Sequence, residues 1–136
     1  MAITLTYGST TLELPEDLLW VNEFRWSAVA QSTERSLTGA LLVDAAPRVG
    51  GRLITLAGSE DSAWILRSGM ETLLAWAALP EQQFTLTHNG VARTVIFDHG
   101  TAEESGAIKQ VEPVIDYSDP EPSDYYCSLE LNFLEV

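Results

Sequence analysis

Four carboxylates fall within nine residues of one another in the stretch D-Y-S-D-P-E-P-S-D: Asp116, Asp119, Glu121 and Asp124. An oxygen-rich group of this kind could hold a hard cation such as calcium. The spacing argues against it, because an EF-hand loop wants glycine at its sixth position and a closing glutamate. The prolines fit a solvated acidic turn between strands, and no metal is expected. Asp98-His99 sets an acid beside a base, but neighbours on a strand point to opposite faces and do not make a general-base pair. Cys127 is the only cysteine, so no intrachain disulfide can form. It sits on the apolar-leaning face of its strand, where a free thiol packs as a small hydrophobe. A catalytic thiol would have only His88 and His99 as bases. No G-x-S-x-G elbow, H-E-x-x-H, C-x-x-C or Walker sequence occurs. Gly50-Gly51-Arg52 is too short for a phosphate cradle and has no helix after it. The expectation is a chain without enzymatic activity and without a cofactor.

The aromatic residues leave two roles open. Trp20, Trp26, Trp64 and Trp76, with Tyr7, Tyr117, Tyr125 and Tyr126, could offer platforms to a sugar. Aromatics at such spacings also serve as core residues or interface anchors. Trp76 lies at the edge of a helical apolar stripe, where it would either seal the core or face a neighbouring subunit.

Charge narrows the partners. Seven basic residues against twenty acidic ones give a net charge of −13, and Lys109 is the only lysine. Such a surface repels phosphate backbones, so sequence-reading or tight nucleic-acid binding is not expected. It favours solubility, and it also suits a surface that DNA must pass without sticking. The length of 136 residues fits one domain. The N-terminus lacks a basic region followed by an apolar run, and no stretch is long and apolar enough to span a membrane. A soluble protein of a cytoplasm-like compartment is expected.

The elements that must position these residues are mostly strands. Ile3–Tyr7, Gly8-Ser9 and Thr10–Leu14 make an opening hairpin, ended by Pro15-Glu16-Asp17. Phe24–Ala30 reads as a short strand with Phe24, Trp26 and Ala28 on one side. Arg35–Val43 reads as another around Gly39, Asp44–Gly51 as a loop, and Arg52–Ala57 as a strand. Trp64–Leu66 is a short extended piece. Ser68-Gly69-Met70-Glu71 has the spacing of a capping box, which predicts a helix over 68–79 with Met70, Leu73, Leu74 and Ala77 as its apolar stripe. Pro80 stops it.

Phe84–His88, Asn89-Gly90 and Val91–Phe97 form a hairpin whose turn residues tolerate positive φ at both central positions. Gly100–Gly106 is a polar tip, and Ala107–Asp116 returns as a strand. The chain closes on an alternating strand with Tyr125, Cys127, Leu129, Leu131 and Phe133 on one face. The fold class expected is mainly β (α+β): one domain over 1–136, an antiparallel β-sandwich or barrel with one flanking α-helix.

The order of these segments resembles the small tail proteins of long-tailed bacteriophages. The residues that carry the likeness are Leu53–Gly58, Trp64, Ser68–Leu79, Phe84–Phe97 and Pro113–Val136, above all Pro113–Tyr117 and Asp124-Tyr125-Tyr126 before the last strand. The resemblance implies a tail-tube-like β domain that forms rings around a tail axis, as tail tubes and distal tail proteins do. It implies a structural virion protein, assembled in the host bacterial cytoplasm, whose copies close a hexameric ring. The ring would join the distal tube to the baseplate hub or tail fibre proteins, and DNA would pass an acidic lumen without specific binding.

Candidate interface residues are Trp76, Tyr125, Tyr126, Pro47 in the Asp44–Gly51 loop, and Glu103 and Glu104 in the Gly100–Gly106 loop. A carbohydrate- or receptor-binding module is the alternative. A hydrolase built on Asp and His is a third, and it would need a pocket joining His88 or His99 to a distant nucleophile.

Overall fold

The computed structural model of the chain describes residues 3–59, 61–100, 106–109 and 111–136. It is mainly β, with antiparallel sheets and one helix, in agreement with a β-sandwich flanked by a helix. No barrel closes. The main sheet runs β2 (Thr10–Leu14), β1 (Ile3–Tyr7), β8 (Phe84–His88), β9 (Val91–Phe97), β13 (Glu130–Glu135), β6 (Arg52–Ala57) and β3 (Leu19–Trp20), and β10 (Ile108–Lys109) also pairs with β13. A smaller sheet is ordered β11 (Glu112–Pro113), β12 (Tyr125–Cys127), β7 (Ile65–Leu66). The third sheet has two strands, β4 (Val29–Arg35) and β5 (Leu41–Pro47), paired only with each other.

Both short hairpins form for the reasons their turn residues give. Gly8, at φ 61°, takes the first central position of the β1–β2 turn, and Tyr7 pairs with Thr10. Asn89 and Gly90 are both left-handed, at φ 52° and 79°, and His88 pairs with Val91. A type I′ turn needs that conformation twice. These strands then bury alternate residues: Ile3 and Leu5, Phe84 and Leu86, Val95 and Phe97, Leu131 and Phe133, Ile54 and Leu56. Phe84, Phe97 and Phe133 pack in series across the core, edge-on and then tilted, with ring centroids 5.1 and 5.0 Å apart. Burying such side chains stabilises by about 1.5–3 kcal/mol each.

Trp20, on the β3 edge, meets His88 of β8 edge-on at 5.5 Å, although three strands lie between them in the sheet. The sheet is therefore strongly curled, and Trp20 closes one end of the core.

The helix, α1 (Arg67–Ala77), starts one residue before Ser68, with Leu66 as its N-cap and no side-chain cap. The capping box does not form. Instead the backbone amides of Arg67 and Ser68 donate to the carbonyls of Asp124 and Pro122, so the acidic turn satisfies the helix start. The buried face is Gly69, Leu73 and Trp76, while Leu74 is exposed. The expected stripe is thus rotated toward Trp76, whose ring packs on Tyr7 and Phe84.

Three further expectations are corrected. The last strand is not continuous: at Ser128 (φ 60°) the chain leaves β12 and crosses to β13, burying Cys127, Ser128 and Leu129 in succession. Tyr125 is therefore exposed, although Cys127, Leu129, Leu131 and Phe133 are buried. The Ala107–Asp116 strand reduces to β10 and β11. Between Trp20 and Arg52 the largest revision appears. Phe24–Ala28 is not a strand, Gly39 belongs to a turn, and Asp44–Pro47 is strand rather than loop. Val29–Pro47 form one long hairpin.

Candidate functional site

That hairpin is an arm. Its register runs from Val29↔Pro47 at the root to Arg35↔Leu41 at the tip, and every residue of both strands is exposed. The tip is a three-residue loop, Leu37-Thr38-Gly39, with Gly39 left-handed at φ 86°. Ser36 holds it from both sides: its amide donates to the Ala40 carbonyl (2.8 Å) and its hydroxyl accepts from the Ala40 amide (3.1 Å). Arg35 Nη1 donates to the Gly39 carbonyl at 3.2 Å. A three-residue loop closing on a left-handed glycine is a common hairpin connection.

The two faces of the arm differ. Residues opposite each other on antiparallel strands share a face. One face therefore carries Val29, Pro47, Ala45, Val43 and Leu41, with Gln31, Thr33 and Arg35. The other carries Ala30, Ala46, Ser32, Asp44, Glu34 and Leu42. The first is apolar-leaning and the second holds both acids of the arm. Among the described residues, ten of the eighteen exposed large apolar ones lie between Leu19 and Leu53, including Phe24 and Leu37 almost fully in solvent. The apolar surface is thus concentrated on the arm and its root, and such concentrations mark interaction sites.

The root is as distinctive in charge. Arg25 and Arg48 line a cleft of about 460 Å³ with Asn22, Trp26 and Gly51, and the Arg48 guanidinium lies 5.5 Å over the Trp26 ring. On the core side, Arg52 and Arg93 stand over Trp20 at 4.6 and 5.2 Å. Arg52 donates to the Glu23 carbonyl (2.6 Å) and Arg93 pairs with Glu135 (3.2 Å). Asn22 ties the root to the sheet: its Oδ1 accepts from Trp20 Nε1 (2.9 Å) and from the Thr55 amide (3.0 Å). Four of the seven basic residues thus gather in one place on a strongly acidic chain. Sequence reading missed this because the four are scattered from Arg25 to Arg93, and only the curl of the sheet collects them.

The candidate interface residues separate. Pro47 is exposed at the root of the arm, on its apolar face. Tyr125 is exposed and lies 5.7 Å from the exposed Trp64. Tyr126 is half-buried against the core, its hydroxyl accepting from Arg67 Nη1 at 2.6 Å, and it lines a surface groove with Met70 and Leu74. Trp76, left open between sealing the core and facing a neighbour, is only 8% exposed and packs in the core. Glu103 and Glu104 lie outside the described residues.

The chemical candidates stay apart. His88 rests against Trp20, His99 stacks on Phe97 at 6.3 Å, and Asp98 Oδ1 accepts from the Gly100 amide. Among the described residues no three of His, Cys, Asp or Glu are grouped to hold a metal. No helix of the structure is long and apolar enough to cross a membrane. Comparison with protein-family models, with curated proteins and with solved structures returned no match.

Proposed function

We propose that this chain is a structural protein that works by assembly, its copies closing a ring in a phage tail between the distal tube and the baseplate or fibre-bearing parts. The observation that carries the reading is the β4–β5 arm. Fourteen strand residues are ordered into a hairpin that gives nothing to the core, and its apolar face is left in solvent. Holding a two-stranded ribbon in water is marginal unless something covers it, and a neighbouring subunit is the cover that a ring supplies. The excess of acidic residues supports the second part of the reading, a lumen that DNA crosses without being gripped. Light scattering on the purified protein, with negative-stain images of the same peak, tests it. Rings or concentration-dependent tubes are expected, and a strict monomer at high concentration would overturn it.

A second reading rests on Trp64 and Tyr125, an exposed aromatic pair beside a groove lined by Leu12, Pro15 and Leu66. It makes the chain a carbohydrate- or receptor-binding module. Quenching of tryptophan emission by glycans, lost in Trp64→Ala, is the result it requires.

A further inference from the structure

The arginine cleft at the root of the arm has an occupant written elsewhere on the same surface. Arg25 and Arg48 are exposed, and the two ion pairs among the described residues, Arg67–Glu71 and Arg93–Glu135, involve neither. Stacking on Trp26 fixes the Arg48 guanidinium in place, and a planar, oriented guanidinium is suited to a carboxylate. From Glu112 to the C-terminus the chain carries seven acidic residues and no basic one. The turn that holds Asp116, Asp119 and Glu121 in solvent is itself well anchored. The Tyr117 hydroxyl donates to the Tyr125 carbonyl (3.0 Å) and accepts from its amide (3.1 Å). Asp124 Oδ2 accepts from the Glu121 amide (2.8 Å). An ordered turn loses little freedom on docking.

The cleft lies by one end of the β6–β13 ladder, and the chain that leaves the acidic turn passes through β12 and enters that ladder at the other end. Arg52, where the chain returns from the arm, pairs with Glu135, while Ala57 pairs with Glu130, next to the crossing from β12. Five residue steps separate the ends, about 17 Å. Within one molecule no ion pair among the described residues joins the turn to the cleft, so a second copy is the partner this charge pattern fits. We infer that the Arg25–Arg48 cleft receives the acidic Asp116–Asp124 turn of the next copy, in a head-to-tail contact. Such a contact is heterologous, and it closes a ring or runs on as a filament. The inference rests on the assembly proposed above and names the surfaces it uses.

Reversing the charges tests it. Arg25→Glu/Arg48→Glu and Asp119→Lys/Glu121→Lys change only exposed side chains, and each is expected to weaken self-association at least about tenfold relative to the parent chain. An equimolar mixture restores opposite charges at every contact, so it is expected to recover the parent's sedimentation profile as an alternating assembly. Either variant associating like the parent would overturn the inference, and so would a mixture that stays dissociated. Failure of the parent chain itself to associate would overturn the assembly reading, which keeps the two failures distinct.

Discussion

At the residue scale the tightest site is Gly58. A Cβ there would overlap the Cβ of Ala63, itself fully buried and left-handed at φ 56°. The Gly58 amide donates to the Leu129 carbonyl, and the Ala63 amide to the Asp17 carboxylate, so neither backbone can move aside freely. Gly58→Ala is expected to cost about 1–3 kcal/mol, as overpacking does, read as a lowered urea midpoint. Ser68 makes the opposite case. Its side chain caps nothing, since the acidic turn already takes the first amides of α1. Ser68→Ala should therefore change stability by less than about 0.5 kcal/mol, where loss of a true cap costs about 1. Equilibrium unfolding distinguishes the two values.

At the scale of elements, legibility followed the local chemistry. The β1–β2 and β8–β9 hairpins could be read because Gly8 and Asn89-Gly90 force their turns within two residues, and a buried face imposes strict alternation on the strands around them. The arm could not be read in the same way. Both of its faces meet solvent, so no core dictates a period, and Leu37 mimics a strand residue although it occupies a turn. The available signal was Gly39 three residues after Ser36, a pattern suited to a three-residue hairpin loop. The helix was legible in place but not in face. Gly69 and Trp76 define its buried side, and a glycine with no side chain contributes nothing to an apolar stripe read from sequence.

Of the candidate site, Pro47 and Tyr125 were found at the surface, whereas Trp76 packs in the core and Tyr126 is half-buried against it. Because the arm lies outside the core, replacing Val29–Pro47 by a short turn should leave unfolding free energy within about 1 kcal/mol while abolishing assembly. Thermal unfolding and native mass, measured on the same sample, check both halves.

For the whole molecule, charge is distributed unevenly rather than merely in excess. A net −13 would drive like copies apart over about 10 Å at moderate salt, so attraction must be local, from covering the arm's apolar face and pairing unlike patches. Duplex DNA should not be retained even at about 50 mM salt, because the few arginines are too confined to follow a phosphate backbone. Electrophoretic mobility of a labelled duplex at that salt measures this directly.

Trypsin cuts only after lysine and arginine, and the arm holds a single such residue, Arg35, one step from its tip. A free copy exposes Leu37 and the rest of the loop to the protease, while the ladder from Val29 to Arg35 keeps the severed halves together. Cleavage between Arg35 and Ser36 should thus appear as a nick whose halves stay together until the molecule is denatured, told by fragment mass from cuts after the exposed Arg25 and Arg48. Once a neighbour covers the loop, that nick should fade. The rate of one cleavage then becomes a clock for how long each copy stays engaged.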